Sequence, residues 1–280
     1  MRPQFERGLK GVADSYHRKQ TKDKETRGMN VVVCVKQIPD PATPYKLEEG
    51  SNWLLRPEDQ VLDDTDRYGV EMGLQLAQES DGTVTLISMG PAGNAQGIRQ
   101  ALAMGADKAI IIEDDELRGS DALATARALS AAAAREDFDL VIAGTESTDG
   151  YSGVVPQMLA ELLNTPALTY ATKVETNDGV VTIHRQTASG YDVVSSSLPA
   201  VVSVTAGVVE PRYPTFKGIM DAKKKPVENV SVTDLDLETT TSQEVASITE
   251  APEREAGRKI EDEGDAHNEI IALLEDRKVI

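Results

Sequence analysis

The sequence predicts an α/β protein: a parallel, twisted sheet covered by helices, with an added antiparallel ribbon and an extended C-terminal arm. Three observations predict it. Between residues 31 and 163, short apolar runs alternate with stretches of helical periodicity. From about residue 165 the pattern changes to short alternating strands split by Asn-Asp-Gly and Ser-Gly turns. From 227 to 264 the chain is acidic, rich in Thr and Ser and poor in aromatics.

The elements follow in order. The β-branched run after Met29 predicts a first buried strand over 31–35. Tyr68, Val70, Met72, Leu74 and Leu76 give 66–79 a broad apolar stripe, hence a helix. A strand over 83–88, a helix over 94–104 and a strand over 108–112 come next. An alanine-rich helix is expected over 121–134, with Ser120 as its cap, then a strand over 140–143 and a helix over 154–163. Strand–helix alternation at this spacing implies a Rossmann-like sheet with its ligand loops at the carboxyl edge. Strands over 167–174, 180–185 and 191–196 form the ribbon, 200–204 is a further apolar strand, and 266–274 is a short amphipathic helix. The expected organisation is therefore an N-terminal extension (1–28), a helix-covered α/β domain (29–226) and an arm (227–280).

Composition excludes several function classes. The 280 residues carry 29 Lys and Arg against 47 Asp and Glu, a net charge of −18. A phosphate-backbone binder needs a basic footprint, so nucleic acid is not the partner. An acid excess of this size also suits a halophilic protein, because strong screening removes the cost of self-repulsion. One cysteine, Cys34, rules out an internal disulfide and a Cys-built metal site. Three scattered histidines offer neither a metal cluster nor a catalytic triad. No apolar run nears the roughly 20 residues that span a bilayer, and residues 1–28 lack a signal peptide's apolar middle, so the expected location is cytoplasmic. Those 28 residues hold eight basic and four acidic side chains, unlike the rest. Met29 is thus an alternative start, and the segment before it reads as a disordered or mis-assigned extension.

Two loops could carry a ligand on residue chemistry alone. GTESTDGYSG, over 144–153, follows a strand and precedes a helix; its glycines allow close backbone approach, and free N–H groups at a helix start favour an anion such as phosphate. It has neither the GxGxxG spacing nor a P-loop lysine, so a plain surface turn remains the alternative. SMGPAGNAQ, over 88–96, has the same placement and includes Gly90.

NVVVCVKQIPD (30–40), GPAGNAQGIRQALAMGADKAIII (90–112) and LPAVVSVTAGVVEPRYPTFKGIMDAKKKP (198–226) resemble the β subunit of electron transfer flavoproteins, fix-type systems included. The resemblance runs from Met29 to Ile280 and is most specific in EPRYPTFKGIMDAKKK. It implies a heterodimer in which an α subunit holds most of a redox-active FAD while this chain acts as a clamp. It also implies AMP, or in electron-bifurcating members a second FAD, in this subunit. Electrons would come from flavin dehydrogenases such as those of fatty acid oxidation and leave to a membrane quinone oxidoreductase. No catalytic residue is implied, because the cofactor supplies the chemistry.

Residue by residue, the family's nucleotide loop falls on Asp149, Gly150, Tyr151, Ser152, Gly153, Val154 and Val155. AMP-binding members resemble each other in an Asn-Gln-Thr run where this chain has Gly153, Val154 and Val155. Asp149, Gly150, Ser152 and Val155 are instead similar to the Asp-Gly-x-Thr-x-x-Val of bifurcating members, which implies FAD. Gly90 and Gly144 fall in the flanking loops, and Cys34 and Lys36 end the first strand, where the family places nucleotide contacts. A further motif, Asn-Pro-x-Asp, falls on residues 63–66 and is kept only at Asp66, which could equally cap the helix. The family's partner-recognition loop falls on 208–226, with Phe216 as the apolar anchor and Arg212, Tyr213, Lys223, Lys224 and Lys225 beside it. A stand-alone universal-stress-type nucleotide-binding protein has the same sheet pattern but leaves 208–226 and the arm unexplained.

Overall fold

In the computed structural model the residues described are 28–90, 93, 95–249, 251–252 and 257–280. The expected N-terminal extension lies outside them, save its last residue. Two compact units are present, one reaching Val245 and one running Ala246–Ile280.

The strands of the first unit are β1 (Asn30–Cys34), β2 (Gln37–Pro39), β3 (Gln60–Leu62), β4 (Thr83–Met89), β5 (Lys108–Ile112), β6 (Leu140–Gly144), β7 (Ala167–Asn177), β8 (Val180–Thr187), β9 (Gly190–Ser197), β10 (Ala200–Val204) and β11 (Val227–Val230). Its helices are α1 (Asp64–Glu79), α2 (Gln96–Met104), α3 (Ala122–Ala133), α4 (Val155–Leu162) and α5 (Phe216–Ala222). Nine strands form one sheet in the order β11-β5-β4-β1-β6-β10-β7-β8-β9. All pairings from β11 to β7 are parallel, and β7-β8-β9 is an antiparallel ribbon continuous with them. β2 and β3 make a separate small antiparallel pair.

The period of two in β1 divides the core. Val31 and Val33 join one buried cluster with Val70 and Leu74 of α1 and Ile98 and Leu102 of α2. Val32 and Cys34 join the other with Leu129 and Ala132 of α3 and Leu159 of α4. Helices thus cover both faces, which is why the central strands read as unbroken apolar runs. Each fully buried Val, Leu or Ile contributes about 1.5–3 kcal/mol relative to exposure.

The structure differs from the sequence expectation at four places. The 121–134 helix is capped by Asp121, whose Oδ1 accepts from Ala124 N at 2.8 Å, while Ser120 donates to Leu117 O. The cap of α1 is Asp63, not Asp66. β2, β3 and α5 were not anticipated, being three to seven residues long and set among prolines. The stretch after 226 begins with an edge strand rather than an arm: β11 pairs with β5, and Val230 and Val232 are buried with the α3–α4 layer. In the second unit, helix α6 (Ala266–Asp276) leaves Ile270, Ile271 and Leu273 exposed.

Candidate nucleotide crevice and docking segment

The sheet order sets the site. From β1 the chain builds outward to β4 and β5 on one side, and it later returns to place β6 on the other. The carboxyl ends of β1 and β6 therefore flank a topological switch point, where open α/β sheets leave a crevice.

Lys36 follows β1 and the loop 145–153 follows β6; they meet there. Lys36 Nζ lies 2.6 Å from Asp149 Oδ1 and 3.3 Å from Ser147 Oγ. The second Asp149 oxygen is 2.6 Å from Arg56 Nη2. The Asp149 side chain is wholly shielded, whereas its two cations are about one third exposed, at 34% and 28%. Burial pushes the Asp149 carboxyl up, but the Lys36 and Arg56 charges outweigh it and hold the group below the usual carboxylate range.

Two further carboxylates brace this loop. Asp63 is fully buried; Oδ1 accepts from Thr65 N and Oγ1, and Oδ2 accepts from Thr148 N at 2.7 Å and from Thr148 Oγ1 at 3.0 Å. It thereby ties the start of α1 to the loop after β6. Asp66 Oδ2 accepts from Lys36 N at 2.7 Å. Burial first, then the Asp63 charge, drives the Asp66 carboxyl well above the usual range, which favours its uncharged form. Cys34 is buried beside it, its thiol pushed up to about 12 chiefly by burial, and it packs in the core cluster of α3 and α4.

The glycines have unequal roles. A Cβ on Gly144 would sit 3.1 Å from Asp66 Oδ1, and one on Gly150 3.0 Å from Ser147 Oγ. Gly153 takes φ +64 beside Glu146, a conformation costly for other residues. Val154 stands at the cap position of α4 with no side-chain cap, so the first-turn N–H groups carry no internal side-chain acceptor. Ser152 and Val154 are exposed and Val155 is half-buried. Gly90 bonds through its N–H to Ile112 O, has open space around its α-carbon and touches none of these groups.

The crevice thus gathers Lys36, Asp66, Gly144, Asp149, Gly150 and Gly153. Sequence reasoning missed Arg56 and the bracing role of Asp63. Arg56 lies in the irregular stretch Trp53-Leu54-Leu55-Arg56-Pro57 with no periodic signal, whereas Asp63 at the start of a helix was readable as a cap.

The 208–226 segment forms a second feature. Arg212 Nε and Nη2 lie 2.6 and 2.9 Å from the two oxygens of Glu71, a side chain only 4% exposed. Against the upward push of burial, hydrogen bonds from Arg212 and Gln75 hold Glu71 low. Beyond this anchor, Tyr213 is 82% and Phe216 81% exposed. Lys223 and Lys224 are exposed, but Lys225 is partly buried and donates to Leu102, Gly105 and Ala106 carbonyls.

A helix-covered parallel sheet whose order reverses beside β1, with glycines, two cations and an uncapped helix start gathered there, defines a doubly wound α/β protein. Comparisons with known proteins narrow this. Residues 53–235 match the family model described as "Electron transfer flavoprotein domain". The chain is 40% identical over 264 residues to the electron transfer flavoprotein subunit beta of Mycobacterium bovis, covering 90% of this chain and 99% of that one. It is 33% identical over 257 residues to the same subunit of Bacillus subtilis, covering 88% and 97%. To the Caffeyl-CoA reductase-Etf complex subunit CarD of Acetobacterium woodii it is 33% identical over 208 residues, covering 71% and 77%. The chain belongs to the electron transfer flavoprotein family, among its β subunits. That membership implies an α-subunit partner and flavin-linked electron transfer. Among the described residues no helix is long and apolar enough to cross a membrane, and no group of three potential metal ligands occurs.

Proposed function

We propose that this chain passes electrons as half of a heterodimer, holds an adenine nucleotide in the β1–β6 crevice and presents 208–226 to flavin dehydrogenases of the acyl-CoA type. A quinone oxidoreductase is the acceptor, and the pair works in the cytoplasm. The observation that carries the reading is the side-chain cluster at the switch point, where Lys36 and Arg56 both hold Asp149 of a glycine-bearing loop that leads into the uncapped start of α4.

The residues fit a nucleotide phosphate. Lys36 and Arg56 would hold it with the N–H groups of Gly153, Val154 and Val155, and the raised Asp66 carboxyl lowers the repulsion a buried anion would meet. Asp149-Gly150-x-Ser152-x-x-Val155 favours the adenosine diphosphate half of a second FAD over AMP. FAD, when bound, supplies the electron-carrying chemistry; this chain binds and orients it. The exposed apolar face of α6 in the second unit suits an arm that packs on the α subunit.

Co-expression with the α subunit, followed by quantifying released FAD and AMP, tests the reading. Two FAD per heterodimer support the second flavin, and one FAD with one AMP supports the crevice with the smaller ligand. A heterodimer carrying one FAD and no second nucleotide overturns the crevice assignment. For the docking segment, Phe216→Ala is expected to raise the KM of a partner dehydrogenase for the heterodimer about tenfold, the scale of one lost apolar anchor.

A further inference from the structure

Seven-residue helices do not hold themselves together in water, so α5 needs support from outside. It receives support of an unusual kind from α2. Lys225, just past α5, uses its ammonium on three carbonyls at the C-terminal end of α2: Leu102 O at 3.0 Å, Gly105 O at 3.1 Å and Ala106 O at 2.6 Å. An ammonium has three N–H donors, and each has an acceptor here. In return Arg99, within α2, donates from Nη1 to Ala222 O at 2.6 Å and Lys225 O at 3.2 Å, the last carbonyls of α5 and its exit. Each helix end, with its unpaired carbonyls and negative dipole, is closed by a cation from the other. Between these crossed caps the backbones nearly touch: a Cβ on Gly218 would lie 2.5 Å from Ala103 O. At the other end of the segment Arg212 is fixed on Glu71 of α1. Between the two anchors Tyr213 and Phe216 stand out into solvent.

We propose that Lys225 and Arg99 are positioning residues for partner recognition: by exchanging caps between α2 and α5 they set the pose in which Tyr213 and Phe216 meet a flavoprotein partner. This rests on the docking role given to 208–226 above. It also separates the lysine run by task. Lys223 and Lys224 are free to attract an acidic partner, whereas Lys225 faces inward and contributes pose rather than long-range attraction.

The test uses the α–β heterodimer carrying Lys225→Met, with Arg99→Gln as the independent variant and Phe216→Ala as the reference. Two readouts are taken: hydrogen exchange of peptides covering 216–226, and steady-state reduction of the heterodimer by a purified acyl-CoA dehydrogenase. Either clamp variant is expected to speed exchange in 216–226, leave the flavin content unchanged, and raise KM about tenfold with kcat within about twofold, the scale of one lost anchoring contact. Faster exchange with an unchanged KM, while Phe216→Ala raises it, overturns the positioning role but leaves the docking segment standing. Unchanged exchange overturns the clamp itself. An unchanged KM in Phe216→Ala overturns the docking role, and the inference with it. Should Lys225→Met fail to assemble, Lys225→Gln, which keeps a donor and drops the charge, decides by the same outcomes.

Discussion

Removing the Asp149 carboxylate probes the crevice most directly. In Asp149→Ala, two charge-assisted contacts of 2.6 Å vanish, each worth about 1.5–3 kcal/mol when a charged partner is involved. Lys36 and Arg56 are about one third exposed, so water recovers part of that loss. The carboxylate's own burial cost also disappears. The net expected destabilisation is about 2–3 kcal/mol at neutral pH, with Asp149→Asn near half of that. Urea unfolding of the full chain, followed by far-ultraviolet circular dichroism and by the single tryptophan, Trp53, measures it. The pH dependence has a fixed sign. The folded carboxyl is held below its ordinary value of 3.8, so its stabilisation is complete above that value and fades as pH falls through the folded pKa. The difference between wild type and Asp149→Ala should therefore shrink below about pH 3.8. A variant within about 0.5 kcal/mol of wild type at pH 7, the range of ordinary surface substitutions, would refute the view that Asp149 organises the site.

Two further outcomes follow from the same geometry. Asp66→Asn keeps an acceptor for Lys36 N–H and removes a charge that burial disfavours; its stability should gain on wild type as pH rises above 3.8, by on the order of 1 kcal/mol at neutrality, read from paired urea titrations. Gly97→Ala would place a Cβ 2.7 Å from Leu62 N and 2.9 Å from Val61 C, both backbone atoms of β3, so a loss of about 2 kcal/mol is expected despite alanine's better helix propensity, seen as a Tm fall of roughly 4–8 °C.

The parallel sheet was legible because its signals are long and local. β1, β4, β5, β6 and β10 are runs of four or more buried residues, and the turn Asp178-Gly179 marks the ribbon. The short pieces were not, since β2 and β3 are fixed by each other and by α2, where Gln37 Oε1 accepts from Gly97 N. A similar limit hid β11: Val227-Glu228-Asn229-Val230 is polar enough to read as arm, and only its pairing with β5 and the burial of Val230 make it a strand. In the crevice, the glycines were legible from their place between a strand and a helix, and Lys36 only through the family resemblance. Arg56 was invisible because it arrives from 20 positions away, and a pairing across 93 positions to Asp149 leaves no periodic trace. Lys225 illustrates the reverse error, since three lysines in a row suggest one shared surface role, yet backbone carbonyls of a neighbouring helix claim the third.

The sheet order also fixes how the 208–226 segment is held. β10 and β11 are consecutive strands in the chain but stand five places apart in the sheet, with β6, β1, β4 and β5 between them. The connection must therefore traverse the outside of the α1–α2 layer, because the space beneath is already packed. It behaves as a strap stitched down at both ends into one rigid fabric. Its far end runs directly into β11, so a load on the exposed tip passes to the pairing of β11 with β5 rather than to a loose loop.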